Sequence, residues 1–434
     1  MTNVTHQSRN FGERKTLDCW GILGPEEIGR VRRTRTFGVI SVVREYNDLA
    51  VPGLGNIFFG KQLLIALLGI RLAETLRQNG KSISNIAAAN AVEALACLLK
   101  IQELGGSKPT LSHAAKLRGR LKLRHGDGSF RRLAAPGGYV TQPMRMATVQ
   151  PLVALGLVDA GAGFRFNSYK CNERGNRFVQ SSFTIGKGRP CPEYQLLKWA
   201  ENRESITRRM VADYLDLFRP LAPAASAQLR ELLAKDERRE ALINWMRKLP
   251  SSITLKHFEK ATSVPNHADH IRDGANFMAM RDAASAILIT CEELIRKSTK
   301  KEINLKSEAG SIMQNLHDMP AKLNAQAKSY GNNHLRLLES SRDASDFAKL
   351  CSKRGIELLS GLVKRDGNIL RMIGDSIKPG PAFDYQSGSH ITDNDDADES
   401  WPDRPHKTTW PDHISPRIIN LSNLLGDIQQ QARS

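Results

Sequence analysis

The stretch Leu155–Gly175, LGLVDAGAGFRFNSYKCNERG, decides how the middle of this chain folds. Its pattern ends a helix at Gly156, begins a strand at Leu157-Val158, turns at Gly161-Ala162-Gly163 and returns from Phe164 to Tyr169. Asn172 then caps a further helix. The product is a β-hairpin between two helices, of the size that rests on a DNA phosphate backbone. An ordinary hairpin between helices satisfies the same pattern.

The stretch resembles the winged helix modules of prokaryotic transcription regulators, whose recognition helix commonly runs into LGLV and whose wing commonly leaves through Y-x-L-T-x-x-G. Here the exit is Tyr169 to Gly175, with Cys171 in the Leu place and Asn172 in the Thr place. Both replacements keep the physics, because Cys is a small apolar residue and Asn caps a helix as well as Thr. The resemblance covers about residues 141–183, so it identifies a module rather than the whole chain. It implies a recognition helix ahead of Gly156, capped by Thr141, with Pro143 in its first turn and Val149, Leu152 and Leu155 facing the core. Gln142, Arg145 and Gln150 then lie on the opposite side, and Arg and Gln are the side chains that pair bidentately with guanine and adenine. Pro151 falls within that helix and predicts a kink or a division. Arg165 is the expected wing contact, with Lys170 and Arg174 on flanking phosphates. Modules of this kind also serve as contacts between proteins.

Charge favours nucleic acid. Residues 112–190 hold fourteen Lys and Arg against three acids, within a chain of net charge +18. Such a surface binds phosphate by releasing condensed counterions, largely without regard to sequence. The alternative is a solvated basic face. The Gly-, Pro- and Arg-rich run from His125 to Gly138 reads as a loop, and its Arg131 and Arg132 join the expected DNA contacts.

Around this module the 434 residues divide into a mostly helical unit (1–107), the winged helix module (108–190), a helical bundle (191–378), a disordered acidic linker (379–414) and a short amphipathic helix (415–434). The fold class is mainly α. Lys61 to Leu76 and Ile83 to Leu104 carry apolar residues at helical spacing, and Val39 to Val43 fits a short strand or helix. Beyond Pro192, helices are expected at Glu193 to Phe218, Pro223 to Ala234, Glu237 to Leu249, Asn333 to Glu339 and Ala344 to Ile373. Phe277, Met280, Ala284, Ile287, Cys291 and Leu294 form a seam that suits either a bundle core or a dimerising coiled coil. Asp384 to Asp403 has seven acids and no Lys or Arg, a composition that cannot fold alone. It is poised to compete with phosphate for the basic module. Ile418, Leu421, Leu425 and Ile428 line one face of the last helix, which either docks a partner or packs on its own bundle.

Several catalytic signals fail. Gly55 to Lys61 has the G-x4-G-K spacing of a phosphate loop, but Gln62 stands where Ser or Thr should hold magnesium. His257, His267, Asp269, His270 and Asp273 crowd together, with His267 and His270 able to share a helical face, but a metal needs three or four convergent ligands, which sequence does not show, so they read as capping or solvated residues. The six cysteines are scattered, with no C-x-x-C pair and no signal peptide, which indicates reduced cytosolic thiols. The apolar run Ile57 to Ile70 is too short to span a bilayer. The expectation is a cytoplasmic, DNA-binding protein without cofactor or metal, either a prokaryotic regulator or a subunit of a multi-protein DNA-handling or mobile-element defence system. Duplex DNA is its expected partner, with protein partners or self-association through the carboxyl-terminal helices. A helical scaffold that uses its winged helix for protein contacts is the alternative, and a nuclease or NTPase of unrecognised class the third reading.

Overall fold

Apolar residues recur at helical spacing through most of the chain, and the computed structural model is accordingly mainly helical. It describes residues 35–123, 128–161, 163–183, 191–203, 206, 214–333, 340–383 and 408–429. Helix α1 spans Ile40–Ala50, α2 Lys61–Gln78 and α3 Asn85–Leu104. Ser84 caps α3 by accepting the amide of Ala87 at 3.1 Å. Three single turns follow, α4 (Leu111–Ala114), α5 (Arg120–Leu123) and α6 (Phe130–Ala134). A 3-10 segment, Met144–Thr148, runs directly into α7, Val149–Ala154. The hairpin pairs β1 (Val158–Asp159) antiparallel with β2 (Lys170–Cys171), and α8 spans Glu173–Ser181.

After these come α9 (Pro192–Ala200), α10 (Pro223–Leu233), α11 (Glu237–Trp245) and the long α12 (His267–Lys297). Strand β3 (Ile303–Asn304), α13 (Ala309–Leu316), α14 (Met319–Asn333), α15 (Ser341–Cys351) and α16 (Gly355–Asp366) lead to β4 (Leu370–Ile373) and β5 (Ser376–Pro379). The last described helix is α17, Pro416–Gln429. The second sheet has the antiparallel order β3-β5-β4, with Ile377 opposite both Ile303 and Met372.

Two hydrophobic cores result. The first draws on residues from Ala50 to Ile271 and again on Ile414 to Ile428, while the second joins Phe37 to Tyr46 with Phe277 to Phe383. Helix α2 is the hub of the first, buried on every side and packed on α3, α8, α9 and β2. A helix apolar all round belongs at the centre of a core. Helix α12 is the hub of the second, against α1 and α14. Both α1 and α12 contribute to each core and so join them. At the junction the His267 Nε2–H donates to the Ala50 carbonyl at 2.8 Å, and Nδ1 accepts from the Thr262 hydroxyl at 3.1 Å.

The structure corrects several expectations. Boundaries at 107/108 and 190/191 do not separate cores, because α2, the hairpin and α9 to α11 bury one continuous apolar surface. The expected helix from Glu193 ends at Ala200, and Leu215 and Leu217 reach the core from non-helical chain. The expected helix from Ala344 to Ile373 is two helices and a strand, since the Gly374-Asp375 turn folds β4 back on β5. Of the two readings of the α12 seam, the structure has the bundle core, with the chain's own α1 and α14 covering it. Helix α17 likewise packs on α1, α10 and α11 rather than presenting its apolar stripe. Parts of the expected linker are ordered, because Ala382 and Phe383 enter the second core and Thr409 bridges to Ser252. The acidic run from Asp384 to Asp403 and residues 334–339 lie outside the described residues. Among the described residues no helix is long and apolar enough to cross a membrane.

Candidate nucleic-acid interface

The returning arm of the hairpin differs from a plain strand. Only Lys170–Cys171 pairs with β1, and Phe166–Ser168 form a 3-10 turn in place of the expected strand from Phe164 to Tyr169. Side chains supply the missing fastening. Asn85, fully buried at the start of α3, donates from Nδ2 to the carbonyls of Phe166 at 3.0 Å and Tyr169 at 2.8 Å. Asn167 Oδ1 accepts the Ile86 amide at 3.0 Å, and Glu74 Oε1 accepts the Cys171 amide at 3.0 Å. On the other side the Tyr169 hydroxyl lies 3.0 Å from the Val149 carbonyl and 3.2 Å from that of Phe164, and donates between them. The hairpin is thereby tied to α2 and α3 on one flank and to the first turn of α7 on the other. Burial raises the Tyr169 hydroxyl above its ordinary pKa and pushes the Cys171 thiol up to about 12.

Two glycines allow the helices to close on it. Gly156 has φ +64°, and a Cβ there would lie 2.4 Å from Arg174 Nη1. At Gly175 a Cβ would lie 2.1 Å from the Leu157 carbonyl oxygen, so α8 can cross the hairpin only with glycine at that place. Asn172 caps α8 through the Gly175 amide at 3.0 Å. Its Nδ2 also donates to the Gly156 carbonyl at 3.1 Å.

Helical chain ahead of the hairpin is divided, as Pro151 predicts. Pro143 rather than Thr141 occupies the N-cap position, and Pro151 lies in the first turn of α7, where its missing N–H has no intrahelical acceptor. The buried Glu93 carboxylate takes the cap's role by accepting the amides of Met144 at 2.7 Å and Arg145 at 3.0 Å, together with the Tyr139 hydroxyl at 3.1 Å. Burial raises its pKa, and these hydrogen bonds oppose the rise.

The expected contact residues have unequal surroundings. Arg165 and Lys170 are exposed on the hairpin and Gln150 on α7, whereas Gln142 is exposed in the chain ahead of the Pro143 N-cap and not on the helix as expected. Gln150 Nε2 donates to Asp48 Oδ1 at 2.5 Å. Arg145 is half-buried, with Nε donating to Asn90 at 2.5 Å and its guanidinium over the Phe166 ring at 5.4 Å. Arg174 is half-buried over Gly156. Arg131 is exposed on α6, which packs on α3 and α9, and Arg132 Nη2 donates to the Lys122 carbonyl at 3.4 Å. The hairpin therefore brings together Arg165, Lys170 and, across Tyr169, the start of α7 that carries Gln150. Arg131 and Arg132 belong to a different part of the surface.

Several other cations counted in 112–190 serve the interior. Arg118 is buried, Lys122 donates to the Tyr139 carbonyl, and Lys116 pairs with Asp427 of α17 at 2.6 Å. Asp427 also accepts the Gly60 amide at 3.0 Å, so a carboxylate occupies the phosphate-like place at the end of the G-x4-G-K run. Lys61 is 1% exposed and donates to the Asp216 carbonyl at 2.6 Å, while Lys100 pairs with Asp216 at 2.9 Å. Gln62 Oε1 accepts the Phe58 amide at 2.8 Å, which makes this run a structural turn into α2.

Sequence reasoning passed over Phe164 and Met146, which are 70% and 54% exposed. An aromatic residue directly after the Gly161-Ala162-Gly163 turn was the available signal for Phe164, since a turn tip has no core to cover it. The fastening residues Asn85, Glu74 and Glu93 carried no local signal. Among the described residues no three His, Cys, Asp or Glu side chains converge as a metal site, and buried His270 lies beside His267 on α12. Comparison with known proteins adds no relative, because no family model, no curated protein and no solved structure matches this chain.

Proposed function

We propose that this chain binds duplex DNA through the β1–β2 hairpin and the helical segment before it, disposed as a winged helix, with Arg165 and Lys170 meeting phosphates. The observation that carries this reading is the presentation of those two exposed cations on a hairpin fastened through Asn85, Glu74, Asn167 and Tyr169. Fixed, exposed cations bind a phosphate backbone without first being ordered, which lowers the entropic cost of association. Gln142 and Gln150 are the candidates for base contact, and Arg174 and Arg131 for more distant phosphates. Arg145 and Arg132 support the fold around them.

The size of the chain and its second helical core suit a subunit of a prokaryotic, cytoplasmic DNA-handling or mobile-element defence assembly, with the solvent-facing sides of the carboxyl-terminal helices, not their covered apolar seams, as the surface for protein partners. Fluorescence anisotropy of the full chain with a labelled duplex tests the reading. Binding at low salt that weakens linearly in log Kd against log salt is expected. Absence of binding at low salt would remove it. The exposed Phe164 and Met146 favour the second reading, a hairpin that contacts protein, and that reading gains if DNA is not bound.

A further inference from the structure

Phe164 stands out among the aromatic residues of the hairpin. Phe166 and Tyr169 are buried, yet Phe164 is 70% exposed and directed to solvent. Its backbone has φ +48°, in the left-handed region that bulky side chains rarely occupy. Two hydrogen bonds hold it there, one from the Phe164 amide to the Gly161 carbonyl at 3.3 Å and one from the Tyr169 hydroxyl to the Phe164 carbonyl at 3.2 Å. Glycine or asparagine would adopt this turn with less strain and without exposing a ring. A strained, rigidly presented and solvated aromatic residue is a feature that a binding role accounts for.

Charge around the ring indicates the occupant. Arg165 follows it directly and Lys170 lies on the returning arm, both exposed. The acid nearest in the hairpin, Asp159, accepts from Asn172 Nδ2 at 3.3 Å. An apolar wedge flanked by cations matches a base step flanked by phosphates.

Resting on the DNA-binding reading, we propose that Phe164 is a wedge that inserts at a base step of duplex DNA and unstacks it, while Arg165 and Lys170 hold the adjoining phosphates. The ring supplies affinity that does not depend on salt, and the cations supply the part that does.

The test uses the full chain and a duplex carrying 2-aminopurine, whose fluorescence rises when it is unstacked. Wild type is expected to raise that fluorescence on binding. Phe164→Ala is expected to abolish the rise and weaken binding roughly 5- to 100-fold while leaving the salt slope unchanged. Phe164→Leu, which keeps an apolar wedge, is expected to restore part of the signal. Thermal melts of both variants should match wild type, because the ring is solvated. If wild type and Phe164→Ala bind alike and give the same fluorescence, the wedge is overturned and DNA binding stands. If wild type binds no duplex at low salt, the DNA reading falls and the wedge falls with it.

Discussion

Cations in this molecule occur in two settings that composition cannot tell apart. Around α2, Lys61, Lys100 and Lys116 are withdrawn from solvent and matched to Asp216 and Asp427, whereas on the hairpin Arg165 and Lys170 stand in solvent on a fixed backbone. The first group holds four pieces of chain together, α2 with α3, the segment at Lys116 between α4 and α5, the segment at Asp216, and α17. The second group is free to meet a ligand. Net charge thus overstates the binding surface, and the two settings should respond oppositely to substitution.

The largest effect is expected in the buried group. Asp427→Ala leaves Lys116 and the Gly60 amide without their acceptor and undocks the polar end of α17. Breaking such a buried pair costs about 3–5 kcal/mol. Urea unfolding should show the loss, and a change under 1 kcal/mol would mean that α17 is held by its leucines alone. DNA affinity of the protein that remains folded should be unaltered.

Next comes the pH dependence of Lys61. Burial lowers its pKa from 10.5 to about 8, partly offset by Asp216 and Asp427. Between about pH 8 and 10.5 the unfolded state therefore binds more protons than the folded state, and stability rises with pH through that window. The shift corresponds to about 3 kcal/mol of unfavourable contribution at neutral pH, relieved at the upper end. Lys61→Met removes this titration, so the wild-type-minus-variant difference in stability should rise with pH across the window. A difference that falls with rising pH would contradict the assignment.

Arg145 sharpens the comparison, because it is a cation of the candidate interface with the surroundings of the buried group. Arg145→Ala removes the bond to Asn90 and the contact with Phe166, so a stability loss of about 1–2 kcal/mol is expected. DNA binding measured below the variant's unfolding transition should keep its preference among sequences. Loss of preference without loss of stability would make Arg145 a base reader after all.

What the sequence made legible follows the range of the interaction. Asn172 was readable because a cap depends on a residue three positions away, and Gly175 was legible only through the motif that the resemblance supplies, since the Leu157 backbone that it meets is distant in sequence. The mainly helical class was readable from periodicity. Lys116 and Asp427 are 311 residues apart, so the burial of that lysine had no local trace. The division into two cores was hidden for the same reason, since α17 returns to a core begun by α2. The β4–β5 hairpin was missed although Gly374-Asp375 marks its turn, because Leu370 to Ile373 continues the apolar spacing of α16. On the hairpin, Arg165 and Lys170 were named from sequence as candidate contacts, but Phe164 at the tip was read only as strand.

The central claim is that fixed, exposed hairpin cations bind phosphate. Its most direct measurement is the salt dependence of duplex binding for wild type and for the Arg165→Ala, Lys170→Ala double variant. Unfolding free energies within about 0.5 kcal/mol of each other are expected, as for solvated surface positions. A slope of log Kd against log salt smaller by about 1.8 is also expected in the variant, from two lost phosphate contacts. Identical slopes for two equally stable proteins would contradict the claim.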